Sequence, residues 1–475
     1  MTVFRHYLSL PTVLLALSEF ALFLMALFVF GIAGHCDACY FTGIGHLSLP
    51  QAILVSLTYV AISSAIGLYN RDALLDFRVF LARFLVATQL VLLPTVLIVG
   101  IVKAATNEPF GWYIGVLSLA IAAYFSILLI VRIVVFWTVD HPFLKRRILV
   151  VGEGKPAQAV KAFIDSDGSA HLRCVGQASG RAGKGMAPSP LVIGNLALRL
   201  HPEAERIPLP QLADAIRAEE IVVATNERRG LPFDELLECK LKGIQVVDYV
   251  KFCEREAGYI DVDRIGTGTL TFEDGFRVNL SRRSVKRAFD VVVSSLFLLL
   301  ASPICAVVAV LIKLDSPGPA IFRQERVGLN GSTFRIWKFR SMRVDAEADG
   351  IARWASERDP RVTRIGRFIR KTRIDELPQV LNVLLGDMSF IGPRPERPVF
   401  VEQLRKEIPF YDIRHRVQPG ITGWAQVSYR YSASKEDAKK KLCYDLYYVK
   451  NNDTVLDLAI LLQTVRVILF AHGGR

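Results

Sequence analysis

The chain has 475 residues, a formal net charge of +13 and a mean hydropathy of +0.33, with 52% of its residues hydrophobic. That length admits two or three domains, and that apolarity excludes an ordinary soluble enzyme. The basic balance suits anionic lipid and anionic substrates, and with no interleaved aromatic and basic motif it does not point to nucleic acid.

Four apolar segments of spanning length come first: Thr12–Gly34, Gln51–Tyr69, Val79–Val102 and Trp112–Val139. Each can cross about 30 Å of hydrocarbon, and the first is too long for a cleavable signal followed by three more spans. Arg5, Arg71, Arg78 and Arg83, and Lys145, Arg146 and Arg147 flank one side, whereas the other connections hold only Lys103, so both ends of the bundle are predicted on the cytoplasmic face. Cys36 and Cys39 lie between His35 and His46 in an outward connection; a disulfide or a metal clip fits the spacing, but no ligand set is complete and no function is assigned to them.

After the bundle, a buried strand, a glycine turn and a helix carry Gly152, Gly154 and Ala157 in a G-x-G-x-x-A pattern. The next strand, Leu172–Gln177, ends without the acidic residue that would hold a ribose. Further strands at Glu220–Thr225 and Gly243–Val247 complete a Rossmann-like (CoA-binding-like) domain whose cofactor site is vestigial and whose role is architectural, helping two copies associate as a homodimer. The glycine-rich, mixed-charge stretch 251–284 reads as a linker with a short hairpin.

A fifth apolar stretch, Ala288–Lys313, has Ser302-Pro303 at its middle and basic residues on both flanks, Arg282, Arg283, Lys286 and Arg287 before it and Lys313, Arg323 and Arg326 after it. Proline and the residue before it predict a break, and cations on both sides predict a hairpin that enters and leaves on the cytoplasmic face; a Pro-kinked crossing is the alternative. Two strand-like runs then meet at Asn330-Gly331, a hairpin turn signal, with Lys338, Arg340 and Arg343 on the return strand.

The stretch RFIRKTRIDELPQVLNVLLGDMSFIGPRPE follows arginines at every third position, Arg361, Arg364, Arg367, Arg370 and Arg373, with two carboxylates, Asp375 and Glu376. Asp375 is predicted as an N-cap, with Glu376, Leu377 and Pro378 in the first helical turn, where the helix dipole and free N–H groups favour anions. Adjacent helical residues diverge by about 100°, so the two carboxylates should take different roles, one attacking phosphorus and one holding a metal. A capped helix on a basic solvated face is the plainer account. Beyond it, VQPGITGWAQV reads as a tight loop presenting Trp424 and Gln426, and Asp457–Phe470 as an apolar segment in the membrane interface, broken by Arg466.

Taken together, KRAFD, the Ser-Pro pair, KFRSM, DELPQ-x-x-N-V-x-x-G-D-M-S, GPRPE and PGITGWAQV resemble, in order, the motifs of the bacterial sugar transferases, also called monotopic phosphoglycosyl transferases. The likeness covers Ser284–Arg475 densely, and the whole chain is similar to the long form that initiates exopolysaccharide or O-antigen synthesis. The implied fold is a transmembrane α-helical bundle (1–140), an α/β Rossmann-like domain (141–250), the linker, and an α/β catalytic domain (285–475) with a re-entrant membrane helix (286–313).

The resemblance implies Asp375 as the nucleophile, Glu376 as the Mg²⁺ ligand, and Arg370, Pro393, Arg394, Lys338 and Arg340 as the residues that bind substrate phosphate. Ser302 and Pro303 would be the break in the re-entrant helix, preceded by Lys286 and Arg287. It further implies a UDP-sugar donor, with glucose or galactose as candidate sugars, an undecaprenyl phosphate acceptor, and a place in the lipids of the bacterial inner membrane with the catalytic domain cytoplasmic. Short members continue after GWAQV with Asn-Gly-Arg where this chain has Ser428, Tyr429 and Arg430, so sugar specificity does not transfer. Two rival classes are a scaffold with an inert carboxylate pair and a reductase using Gly152 and Gly154; the intact pair argues against the first and the missing ribose acid against the second.

Overall fold

The computed structural model describes residues 145–166, 172–178, 191–193, 196–198, 207–225, 229–272, 275–276, 280–344, 346, 359–429 and 434–469, with shorter pieces before residue 135: 2–3, 6–7, 16–25, 49–66, 68, 80–81, 83–84, 86–87, 90, 125–130 and 133–134. The chain divides into two compact units, Leu8–Phe252 and Cys253–Arg475, with Thr2–Tyr7 grouping with the second.

In the first unit the second expected span is described almost in full, as the helix Leu49–Ile66, whereas the first, third and fourth lie largely outside the described residues, as do Arg5, Arg71, Arg78, Lys103, Cys36 and Cys39. The described helical pieces meet through aromatic rings: Phe23 on Tyr59 at 5.3 Å, Tyr59 on Phe125 at 5.9 Å and Phe84 on Phe125 at 5.3 Å. The rest of this unit is an α/β sheet. Its strands are β1 (Arg146–Val151), β2 (Leu172–Ala178), β3 (Leu191–Ile193), β4 (Leu196–Leu198), β5 (Glu220–Val223) and β6 (Gln245–Asp248), in the order β4-β3-β2-β1-β5-β6. The pairs β1–β2, β1–β5 and β5–β6 are parallel, joined through helices α1 (Lys155–Asp165), α2 (Leu209–Ala215) and α3 (Phe233–Leu241). Runs such as Ile148–Val151 are fully buried, as a parallel sheet covered on both faces requires.

The glycine turn between β1 and α1 is a tight backbone crossing. A Cβ on Gly152 would fall 2.2 Å from the Ala224 carbonyl oxygen, and its φ of 135° lies where only glycine is at ease. Gln177 occupies the place expected of the ribose acid. Its amide donates to the Gly152 carbonyl at 2.8 Å and its Oε1 accepts from Lys161 at 2.9 Å, so the side chain ties the turn to its own sheet.

In the second unit, the stretch expected to be a linker is folded. Its described residues form a π-helical turn, Cys253–Ala257, and a helix, Thr267–Phe272, with no hairpin among them. Lys450 Nζ reaches Glu254 at 2.8 Å, and the N–H of Ile260 donates to the Cys443 carbonyl. Helix α4 (Leu280–Asp315) comes next, then the hairpin β7 (Ile321–Val327) and β8 (Thr333–Phe339), antiparallel as expected, with Asn330 in a left-handed conformation at φ 54°.

Helix α4 corrects the expected break, because it runs as one helix through Pro303. Proline removes the hydrogen bond that the Leu299 carbonyl would accept, and the Ser302 hydroxyl donates to that same carbonyl at 2.9 Å. The Ser-Pro pair therefore bends the helix without leaving a bare backbone acceptor. Asp290 accepts the N–H of Phe390 at 3.2 Å near Ile336, whereas Ile312 is buried with Phe339 and Ile369. A straight helix would put Asp290 and Ile312 about 33 Å apart, whereas Ile336 and Phe339 are about 10 Å apart along β8. The helix therefore bends between them, and both its ends dock on the same unit while Val292, Leu296, Leu299, Leu300, Val307 and Val310 are exposed. The helical segment Arg282–Asp315 is long and apolar enough to cross a membrane by composition.

Candidate active site

The site is built where α5 (Arg364–Lys371) gives way to a 3₁₀ turn, Ile374–Glu376, and then to α6 (Gln379–Leu385). Thr363 caps α5 by accepting the Gly366 N–H at 2.9 Å. Arg373 reverses the chain in a left-handed conformation, φ 60°, a costly state for a non-glycine residue and one that clusters at functional sites. The expected N-cap is corrected. Asp375 lies inside the 3₁₀ turn, and α6 begins only after Pro378, because the Leu377 N–H closes a short i to i+3 turn on Ile374.

Asn382 fixes α6 against the hairpin. It is fully buried, accepts the Trp337 N–H at 3.0 Å, and donates to the Arg335 carbonyl at 2.8 Å. That clamp sets the register of β8 opposite the 3₁₀ turn and brings Lys338 to 3.5 Å from Glu376 Oε1. On the other side, β9 (Ser389–Ile391) pairs in parallel with β10 (Gly420–Thr422). Gly392 and Gly420 let the two loops interlock, since a Cβ on Gly392 would fall 2.1 Å from the Gln418 carbonyl oxygen. The Gly420 N–H donates to the Pro393 carbonyl at 3.0 Å, which holds the GPRP turn beside the carboxylates.

Arg394 leaves that turn and grips Glu376 with both nitrogens, Nη2 to Oε1 at 2.6 Å and Nη1 to Oε2 at 3.5 Å. Arg373 adds a third cation at 3.8 Å. Burial works against the charge of Glu376, yet Arg394 and Lys338 override it and hold its carboxyl far below the usual range. Asp375 is also buried but makes no hydrogen bond or ion pair with any described residue. Burial first, and then the charge of Glu376, push its carboxyl up, against the pull of Lys338, Arg394 and Arg370. The neighbouring carboxyl groups are thus displaced in opposite directions: Glu376 is held down by its ion pairs, and Asp375 is pushed up by burial and by the charge beside it.

The other expected residues are placed as follows. Arg370 lies near enough to favour the charged form of Asp375, and Pro393 shapes the turn that carries Arg394. Arg340 does not join the cluster. Its guanidinium caps the end of α4 by donating to Ser316 O at 2.7 Å and Pro317 O at 2.8 Å from a position just past the end of β8. Of the five arginines, Arg361 pairs with Asp359 at 2.6 Å, Arg364 and Arg367 are exposed on α5, and only Arg370 and Arg373 reach the carboxylates. Trp424 is not offered to a ligand. It stacks on Tyr447 at 5.7 Å and donates Nε1–H to the Gly258 carbonyl at 2.6 Å.

Two supporting residues, Arg326 and Arg414, escape motif reading. Arg326 is buried, donates to the Pro395 carbonyl at 3.2 Å, and has its pKa lowered by burial to about 10. Arg414 donates to the Arg394 carbonyl at 2.9 Å while paired with Asp445 at 2.9 Å, which anchors the backbone of the GPRP turn. Asn382 stands as the Asn of the motif DELPQ-x-x-N-V, which by itself gives it no role.

The described residues hold no cluster of three or more His, Cys, Asp or Glu side chains suited to a metal. Asp375 and Glu376 supply carboxylate oxygens alone, the small ligand set with which a hard cation such as Mg²⁺ binds when substrate phosphates and water complete its shell.

Comparison with known proteins gives the same outline. The family described as bacterial sugar transferase matches residues 281–471. The UDP-N-acetylgalactosamine-undecaprenyl-phosphate N-acetylgalactosaminephosphotransferase of Aeromonas hydrophila is 45% identical over 240 residues, 50% of this chain and 56% of that protein. The UDP-glucose:undecaprenyl-phosphate glucose-1-phosphate transferase of Escherichia coli (strain K12) is 46% identical over 185 residues, 38% of this chain and 40% of the relative. The exopolysaccharide production protein PSS of Rhizobium leguminosarum bv. phaseoli is 44% identical over 190 residues, 38% of this chain but 93% of its own length. The chain therefore spans about half the length of the first of these relatives and less of the second.

Proposed function

Because this chain belongs to the bacterial sugar transferase family, we propose that it moves a sugar-1-phosphate from a UDP-sugar to undecaprenyl phosphate, releasing UMP, through a covalent intermediate on Asp375. The observation that carries this reading is the asymmetry of the pair: Glu376 is locked by Arg394, Lys338 and Arg373, and Asp375 is buried with no partner. A carboxylate freed from hydrogen bonds keeps its nucleophilicity, and its neighbours supply positive charge where phosphorus oxygens gather negative charge.

In the first step an Asp375 oxygen attacks the sugar-bearing phosphorus, its new P–O bond forms as the bond to the UMP oxygen breaks, and UMP leaves with the electron pair. Lys338, Arg370 and Arg394 stand around the phosphoryl oxygens. In the second step an oxygen of the acceptor phosphate attacks the same phosphorus, the acyl phosphate breaks, and Asp375 is regenerated as undecaprenyl-diphospho-sugar departs. Glu376 would hold Mg²⁺ together with the donor diphosphate, and the cation when bound would supply charge neutralisation for that diphosphate. Relatives are named for N-acetylgalactosamine and for glucose, and both sugars are candidates for the donor beside galactose.

The bent helix α4 fits a membrane hairpin whose two ends return to the cytoplasmic unit, which brings the carboxylates to the lipid headgroup plane. We assign the chain on this basis to the bacterial inner membrane as a multi-pass protein with an amino-terminal bundle and a Rossmann-like domain that helps two copies associate. The experiment is mass spectrometry of the full chain given a UDP-sugar without lipid acceptor. A gain of one sugar phosphate mapped to the peptide containing Asp375, with ping-pong kinetics, is the expected result; a sequential pattern with no adduct would overturn the covalent route.

A further inference from the structure

Away from the carboxylate pair, a cleft open in part to solvent lies at the amino-terminal flank of α4. Arg282, Arg283, Lys286 and Arg416 line it, Ile391 and Val449 are among its apolar walls, and no carboxylate is among its lining residues. Arg282 and Lys286 share one partner, Asp457, at 3.0 and 2.9 Å. Arg283 and Arg416 are both exposed and make no ion pair or hydrogen bond with any described residue. Asp457 offsets one of the four positive charges, so the cleft keeps a net positive charge that a bound anion would neutralise, and the arginine forks match phosphate oxygens.

The cleft is separate from the carboxylates. Arg287, next in sequence to Lys286, donates to the Val383 and Leu384 carbonyls at 2.6 and 2.7 Å, and Gln418, another lining residue, donates to the Gly386 carbonyl at 2.9 Å. These contacts place the cleft at the carboxyl end of α6, whereas Asp375 and Glu376 precede its amino end, roughly 10 Å away along the helix axis.

The surroundings select an amphiphile over a free ion. Val285, Phe289, Val292 and Leu296 are exposed on α4 at spacings of four, three and four, so an apolar strip begins beside the cleft and runs toward the bend. A phosphate held by the cations would lay an attached acyl chain along that strip, and a lipid surface carrying anionic headgroups would meet both features together.

We propose that this cleft binds the phosphate headgroup of an anionic membrane phospholipid, apart from the site of sugar phosphate transfer. The assignment stands on the cleft's own residues and is independent of the reaction proposed above. The test is native mass spectrometry and thermal unfolding of the full chain purified in neutral detergent, with phosphatidylglycerol, phosphatidylcholine or inorganic phosphate added at equal concentration.

Phosphatidylglycerol should be retained and should raise the unfolding temperature, while phosphatidylcholine and inorganic phosphate should do neither. The double substitution Arg283→Gln with Arg416→Gln should weaken phosphatidylglycerol retention by about tenfold or more, and Arg283→Lys with Arg416→Lys should restore part of it. Both arginines are exposed, so loss of the fold does not confound the readout. Equal retention of phosphatidylcholine, an equal temperature rise with inorganic phosphate, or unchanged retention by the glutamine variant would overturn the proposal.

Discussion

Arg394 donates to Glu376 across 2.6 Å from a turn whose backbone is held in place by Arg414 and by the glycine crossing at Gly392. The contact is a two-nitrogen fork on a buried carboxylate, so geometry and charge are fixed together. Arg394→Lys keeps the charge but loses the fork, and Arg394→Ala leaves a buried carboxylate short of its strongest partner. We expect the alanine variant to lose about 10²- to 10³-fold in UMP release, as removal of one preorganised charge donor does in other active sites, with the lysine variant in between. A lysine variant as active as the wild type would show that charge alone matters.

The Ser302–Pro303 pair carries the second expectation. Ser302→Ala removes the donor to the Leu299 carbonyl and should cost about 1 kcal/mol or more, because that acceptor then has no partner in an apolar setting. Pro303→Ala restores an N–H, straightens α4 and pulls one of its ends off the second unit. Cysteines placed at Ser284 and Ala320 should both be labelled from the cytoplasmic side in the parent protein, and the Pro303→Ala background should change the labelling of one of them. Labelling of either position from outside in the parent protein would make α4 a crossing.

Much of this site could be read from the residues, and the failures have physical causes. The Asn330-Gly331 turn, the strands on either side of it and the carboxylate pair all rest on local chemistry, which sequence displays. The Arg340 side chain could not be assigned, because the two-residue spacing from Lys338 predicts one strand face, whereas β8 ends at Phe339 and tertiary packing sends Lys338 to Glu376 and Arg340 to the end of α4. The linker was misread for the same reason. Its glycines and mixed charges are those of a loop, yet Glu254 and Gly258 are bound by Lys450 and Trp424 from 196 and 166 residues away. Pro303 was read as a break since the rescue by Ser302 depends on a hydroxyl rotamer that spacing does not reveal.

Trp424 supplies a direct check of that folded stretch. Trp424→Phe keeps an aromatic ring against Tyr447 but removes the donor to the Gly258 carbonyl, so the unfolding free energy should fall by about 1 kcal/mol. Hydrogen exchange of 253–262 should rise with it. An unchanged exchange rate would mean that Lys450 and Glu254 alone hold the segment.

The last expectation concerns Asp375, whose burial sets function against stability. Its carboxyl is raised from an ordinary 3.8 to about 6, so between those values the folded chain holds a proton that the unfolded chain has released. Stability from this group therefore falls as pH rises through that window, and above it the folded state carries the whole penalty. A displacement of that size corresponds to at most about 3 kcal/mol. Asp375→Asn keeps the shape and removes the charge. It should abolish adduct formation, since an amide cannot become an acyl phosphate, yet raise the unfolding temperature near pH 7.5 in the absence of substrate and magnesium, and flatten the pH dependence of stability between about 4 and 6. In the wild type, adduct formation should decline about tenfold for each pH step below about 6, as the nucleophile takes up its proton. The two measurements bear on one ionisation from opposite sides. An asparagine variant that is less stable than the wild type at pH 7.5 would mean that the Asp375 carboxylate is held by favourable contacts, and the unpartnered nucleophile would then have to be sought elsewhere.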